Sequence, residues 1–244
     1  MTQSFGLIGV GAFGALAARH LAPHFDLVLH DVADVSAQAR GIGARTGDLR
    51  DAASCDIVML AVPVQKLHEV LTGVAPLVTP GALVLDVCSV KIKPVAAMLE
   101  ILPENVSVVG THPLFGPQSG KNGIAGLNVA ICEGRGGRGG ETAHFCAGKL
   151  GLRAFEVTPE EHDREAAYVQ GLTHMLGKIV GSLDLPDMRF PTRTYELMQQ
   201  MVEMIRYDSD DLFRAIEREN PFSSEAKQKF FAAARKLEEK LSGD

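Results

Sequence analysis

Residues 5–21, Phe5-Gly6-Leu7-Ile8-Gly9-Val10-Gly11-Ala12-Phe13-Gly14-Ala15-Leu16-Ala17-Ala18-Arg19-His20-Leu21, decide the fold. A short apolar run, FGLIG (5–9), turns on glycine and passes at once into a helical pattern, with glycines at 9, 11 and 14. Strand, tight turn and helix in that order form a dinucleotide fingerprint. Gly9 permits the turn, Gly11 lets the backbone approach a pyrophosphate, and Gly14 lets helix and strand pack closely. The helix start, Ala12 and Phe13, offers free N–H groups and a partial positive charge to phosphates. Glycine-rich turns also occur for steric reasons alone, so the second strand supplies the corroboration. DLVLHD (26–31) ends in Asp31, about 20 residues on, where a carboxylate accepts hydrogen bonds from the adenosine ribose hydroxyls. That acid would repel a 2′-phosphate, and no arginine follows in His30-Asp31-Val32-Ala33-Asp34 to bind one. NAD is therefore expected over NADP.

Outward from this stretch, short Val/Ile/Leu-rich runs alternate with helical patterns: DIVMLAV (56–62), ALVLDV (82–87), VSVVG (106–110), LNVAIC (127–132) and LRAFEV (152–157). Such alternation predicts an α/β fold, a Rossmann-type, doubly wound, mainly parallel sheet. The strand pattern stops there. Thr158-Pro159-Glu160-Glu161 reads as a helix start, with a threonine N-cap, proline at N1 and a capping-box glutamate. One long helix to about Leu183 should follow, then helices over 194–206, 208–220 and 223–241. The expected organisation is a dinucleotide-binding domain over 1–157 and an all-helical domain over 158–244.

Composition narrows the function classes. The 244 residues are 46% hydrophobic and 22% charged, as in ordinary globular proteins. With 30 acidic and 24 basic residues the net charge is −6, which disfavours nucleic acid and anionic membranes as partners. Glu133–Glu141, with its arginine–glycine repeat, resembles RNA-binding segments, but its flanking acids favour a flexible surface loop. No apolar run is long enough for a membrane span, and the N-terminal stretch lacks the basic and apolar regions of a secretory leader. Four cysteines, Cys55, Cys88, Cys132 and Cys146, are scattered without a C-x-x-C pair, as expected of thiols in a reducing cytoplasm.

In doubly wound sheets the chemistry lies beyond the carboxyl ends of the strands. Asp86-Val-Cys-Ser89-Val-Lys91 leaves one such end, and Gly110-Thr111-His112-Pro113-Leu-Phe-Gly116-Pro117-Gln118-Ser119-Gly120 leaves the next. A loop histidine near a nicotinamide has the resting pKa to take a hydroxyl proton as hydride leaves carbon. DVCSVK, then LPENVSVVGTHPLFGPQSGKNGIAGLNVAI, then LTHMLGKIV resemble the prephenate and arogenate dehydrogenases of tyrosine biosynthesis, especially the plant-type arogenate enzymes. The likeness runs over nearly the whole chain.

The resemblance implies an NAD(P) domain, a helical domain that builds a homodimer, and oxidative decarboxylation of a cyclohexadienyl substrate without a metal. His112 matches the family's catalytic base, and Ser89 the serine that hydrogen-bonds this histidine and the substrate. His174 matches a histidine that reaches the substrate from the helical domain. Arg193, with Arg189 and Arg206 as alternatives, would bind a substrate carboxylate; Gln118 and Lys121 would contact substrate or nicotinamide. Asp208 lies where plant-type members carry an acid. A carboxylate there would pair with the ammonium of arogenate and repel prephenate, although acids in Asp208-Ser209-Asp210-Asp211 also suit a helix cap. The rival readings are another two-domain NAD oxidoreductase, such as a β-hydroxyacid dehydrogenase or a pyrroline-carboxylate reductase, and a non-catalytic NAD-responsive protein.

Overall fold

A computed structural model describes residues 3–183, 185–186 and 188–243. They divide into two compact units, residues 1–162 and 163–244. The division falls inside the helix that begins at Pro159, a few residues beyond the boundary at 157/158 expected from the end of the strand pattern.

Eight strands form one sheet in the order β3-β2-β1-β4-β5-β6-β7-β8. They are β1 (Ser4–Ile8), β2 (Asp26–His30), β3 (Arg45–Thr46), β4 (Ile57–Leu60), β5 (Leu83–Asp86), β6 (Ser107–Pro113), β7 (Asn128–Arg135) and β8 (Arg153–Glu156). All neighbours are parallel except β6 and β7. The first six strands have the 3-2-1-4-5-6 order of the Rossmann fold, whose switch point lies between β1 and β4.

Alternation along the strands builds two apolar layers. Leu27, Leu29, Leu83 and Leu85 face one layer with Leu16 and Leu21 of α1 (Ala12–Leu21) and Cys146 of α6 (Gly139–Gly148). Val28, Val84 and Val108 face the other with Leu67, Leu71 and Val74 of α4 (Val64–Val74) and Met98 of α5 (Ile92–Ile101). The 67, 71, 74 spacing in α4 is the stripe of a helix laid on a sheet. A cavity of about 590 Å³ lies in the first layer, lined by Phe13, Leu16, Met59, Leu85, Phe115 and Phe145 among others. Its lining includes none of Asp31, Ser89 and His112, so these polar side chains are not gathered there.

Three details depart from the sequence expectation. The two-residue strand β3 is too short to show a period. His112 lies within β6 rather than on a loop, because the antiparallel ladder to β7 extends β6 to Pro113 and pairs His112 with Ala130. The arginine–glycine stretch is not a loose loop. Glu133 to Arg135 belong to β7, Glu133 accepts from the Gly137 and Gly139 N–H groups at 3.0 and 2.5 Å, and Arg135 donates to the carbonyls of Leu102, Pro103 and Val106.

The second unit is helical. The expected long helix forms as α7 (Pro159–Ala166), a π-helical segment (Ala167–Leu172) and α8 (Thr173–Gly181), and it is followed by α9 (Arg193–Ile205), α10 (Asp210–Arg214) with a π segment (Ala215–Glu219), and α11 (Ser223–Ser242). The predicted capping box is present: the Thr158 N–H donates to Glu161 Oε2 at 2.9 Å and the Glu161 N–H to Thr158 Oγ1 at 3.1 Å. Gly177 lets α8 approach α9, since a Cβ there would overlap the Ile205 side chain.

Candidate active site

The glycine loop has the shape a dinucleotide requires. Gly9 adopts φ 96°, a left-handed conformation that favours glycine. A Cβ on Gly9 would strike the Ala61 carbonyl, and one on Gly14 the Gly9 carbonyl. A Cβ on Gly11 would meet nothing within 4 Å, so the space beside it is open. No side chain caps α1 at Gly11 and its first turn holds no acid, which leaves the N–H groups of Ala12, Phe13 and Gly14 for an anion from elsewhere. Asp31 Oδ2 accepts from the Val10 N–H at 2.6 Å and Oδ1 from the Ala33 N–H at 2.9 Å. The carboxylate is thereby fixed against the loop, with lone pairs left for a ribose. These residues fit NAD.

Two strands along the sheet from β1, a buried network locks the ends of β5 and β6 together. Lys91 Nζ donates to Asp86 Oδ2 at 2.5 Å and to the Thr111 carbonyl at 2.6 Å. The Thr111 hydroxyl donates to the Asp86 carbonyl at 2.6 Å, and the Cys88 N–H to Asp86 Oδ2 at 2.8 Å. Asp86 and Lys91 are fully buried. Gly110 makes room for the pair, because a Cβ there would press on Val95 and approach Asp86 and Lys91 at 3.3 Å. Ser89 lies inside this loop and His112 directly after Thr111, both buried.

Ser89 and His112 are not joined by a hydrogen bond, contrary to the expectation from resemblance. The Nδ1 atom of His112 instead lies 2.8 Å from Nε2 of His162 on α7, with the rings at 66° and both buried. Gln118 and Lys121 are exposed on the loop between β6 and β7, which Ser119 ties together through Gly116.

In the helical unit His174 is buried, and both of its ring nitrogens face acceptors: Nδ1 the Gln170 carbonyl at 2.9 Å and Nε2 the Asp208 carboxylate at 3.0 Å. Ser209, not Asp208, caps α10, accepting from the Leu212 N–H at 3.1 Å. Arg193 is exposed and donates to Glu196 at 3.0 Å; Arg206 faces Glu203 at 3.6 Å, and Arg189 stacks on Phe190. Among the described residues none of these arginines is hydrogen-bonded or ion-paired to His174 or Asp208. Glu217 is buried, with its carboxylate 3.4 Å from Lys227 Nζ, and burial pushes its pKa up.

Sequence reasoning missed His162 and the structural role of Asp86 and Lys91. His162 is one helical turn beyond the Thr158 cap, and nothing local says what its ring will face. An aspartate closing the apolar run ALVLDV with a lysine five residues on was the available signal for a buried pair.

Comparison with known proteins gives the family and the fold. Residues 15–131 match the family model for the nucleotide-binding domain of prephenate dehydrogenase, starting one residue after Gly14. The chain is 30% identical to arogenate dehydrogenase 2, chloroplastic, of Arabidopsis thaliana, over 97% of this chain and 69% of that protein. To arogenate dehydrogenase 1, chloroplastic, of the same plant it is 29% identical, over 98% of this chain but 39% of that one. Prephenate dehydrogenase from A. aeolicus, crystallised in complex with hydroxyphenyl propionate and NAD+, superposes with a TM-score of 0.78 at 21% identity, covering 99% of this chain and 91% of that one. Synechocystis arogenate dehydrogenase gives a TM-score of 0.72 at 16% identity, over 98% and 92% of the two chains. The structural likenesses establish the fold, a Rossmann-type nucleotide-binding unit followed by a helical one. The sequence relationship goes further: the chain belongs to the prephenate and arogenate dehydrogenase family.

Proposed function

We propose that this chain catalyses NAD-dependent oxidative decarboxylation of a cyclohexadienyl substrate in tyrosine biosynthesis, arogenate to tyrosine or prephenate to 4-hydroxyphenylpyruvate. NAD, when bound, supplies the acceptor for hydride from the ring carbinol carbon. Gly9, Gly11, Ala12, Phe13 and Gly14 hold its pyrophosphate and Asp31 its ribose. The observation that carries the reading is His112, a buried histidine near the carboxyl end of β6 in the same unit as an open dinucleotide cradle. Its ring takes the hydroxyl proton as the carbinol carbon is oxidised. Loss of the ring carboxylate, on the carbon para to the new carbonyl, as CO2 then makes the ring aromatic, which supplies the driving force. Ser89 orients the substrate, with Gln118, Lys121 and Arg193 as further contacts.

His174 and Asp208 favour arogenate. A carboxylate held 3.0 Å from His174 Nε2 supports an amino-acid end, with the acid pairing with its ammonium. Exposed apolar side chains in the helical unit, among them Ile179, Leu197, Met204, Leu237 and Leu241, support a homodimer. Four buried cysteines suit the cytoplasm. No helix among the described residues is long and apolar enough to cross a membrane.

The test is NADH formation by purified protein with NAD and either substrate, beside His112→Asn. Wild type should turn over, and the variant should keep NAD affinity while kcat falls by about 10²–10⁴. NAD binding without turnover of either substrate would overturn the reading.

A further inference from the structure

His162 lies outside the residues that family resemblance points to, yet it contacts the proposed base directly. Strand register brings it there. His112 pairs with Ala130, and Ala130 pairs on its other side with Phe155 of β8. The Val157 N–H donates to the Ile131 carbonyl at 3.0 Å, so the chain leaving β8 is still bound to β7 when α7 begins. The capping box then sets the first turn, and the His162 N–H donates to the Thr158 carbonyl at 3.0 Å. The ring position is thus fixed by the sheet and the cap together.

Two imidazole nitrogens 2.8 Å apart must hold one proton between them, since two lone pairs or two N–H groups would repel. If His162 Nε2 carries that proton, neutral His112 has its own on Nε2 and turns its only lone pair toward His162. It cannot then accept a proton from a hydroxyl. If His112 Nδ1 carries the proton and donates it to His162 Nε2, the lone pair of His112 is at Nε2, and the ring is a base. When Nε2 takes the substrate proton, the Nδ1–H already points at a neutral acceptor that disperses the new charge.

We propose that His162 is the positioning residue of this site: it accepts from His112 Nδ1 and so holds the base in its Nδ1–H tautomer. This rests on the dehydrogenase reading for its catalytic consequence but not for its structural one. The experiment uses the full chain labelled with ¹⁵N-histidine and compares wild type, His162→Leu and His162→Gln. Leucine fills similar space without an acceptor, whereas the glutamine carbonyl can accept in place of Nε2. Imidazole nitrogen spectra, assigned by the signals lost in His112→Asn, should show the Nδ1–H form of His112 in wild type and His162→Gln, and the Nε2–H form in His162→Leu. In turnover, His162→Leu should lose about 100-fold in kcat with KM within about twofold, and His162→Gln should recover at least tenfold of it. An Nε2–H tautomer in wild type, or an unchanged tautomer and kcat in a folded His162→Leu, would overturn the assignment. Should wild type make no NADH from either substrate, the dehydrogenase reading fails while the tautomer spectra still decide the role of His162.

Discussion

Each unit carries a buried carboxylate faced by a lysine, and the two are satisfied differently. In the sheet unit, Asp86 Oδ2 accepts from both Lys91 and the Cys88 N–H, and Lys91 spends a second proton on the Thr111 carbonyl. In the helical unit neither Glu217 oxygen receives a hydrogen bond among the described residues; Lys227 stands 3.4 Å from Oε2 and donates to the Glu217 backbone carbonyl instead. The first pair cross-links two strand ends on either side of Ser89 and His112. The second leaves a charge whose burial is poorly compensated, between two π-helical segments. Buried charge therefore rigidifies the β5–β6 end of the sheet and weakens the helical unit, because among the described residues only Asp86 has donors at hydrogen-bond distance, all of them on Oδ2, while its Oδ1 has none.

The largest expected effect comes from breaking the hydrogen-bonded pair of Asp86 and Lys91. Lys91→Met strands the Asp86 carboxylate, and urea unfolding should show a loss of about 3–5 kcal/mol. A loss under about 1 kcal/mol would mean that the network is not what holds β5 to β6. Next is Asp208→Asn, which keeps shape and removes charge beside His174. The ratio of kcat/KM for arogenate over prephenate should fall about tenfold, or ~1.4 kcal/mol; an unchanged ratio would remove Asp208 from substrate choice.

The smallest effect, and of opposite sign, belongs to Glu217→Gln. Burial raises the Glu217 pKa above the usual carboxylate value, with Lys227 and then His174 opposing the shift. The folded protein therefore holds this proton more tightly than the unfolded chain does. The stabilisation from that proton is full below the unfolded pKa and is lost as pH rises through the folded one. Glutamine does not titrate, so the stability of Glu217→Gln relative to wild type should increase with pH across that interval. Urea unfolding at several pH values would check it, and a flat difference would refute a destabilising charge at Glu217.

Legibility differed between the two ends in the same way. The glycine turn, Asp31 and the Thr158 cap are local chemistry, and each took the conformation that its residue types require. The inner strands β1, β4 and β5 were readable because they are covered on both faces and so are almost continuously apolar. The position of His112 within β6 was not, since the strand end depends on a ladder to residues 128–135. Nor were the two π segments, which follow the same apolar spacing as the α-helix around them.

Sequence alone determined the Rossmann architecture, the dinucleotide cradle and the family, because backbone conformation, hydrophobic period and a motif such as THPLFGPQSG are written in consecutive residues. Only tertiary structure decided the partners: His162 against His112 across 50 positions, Asp208 against His174 across 34, and the Lys91 ammonium shared between Asp86 and Thr111. The physical reason is that a buried polar group must find its hydrogen bonds wherever the packed backbone brings a complementary atom, and that atom is set by strand register and helix caps, not by proximity along the chain.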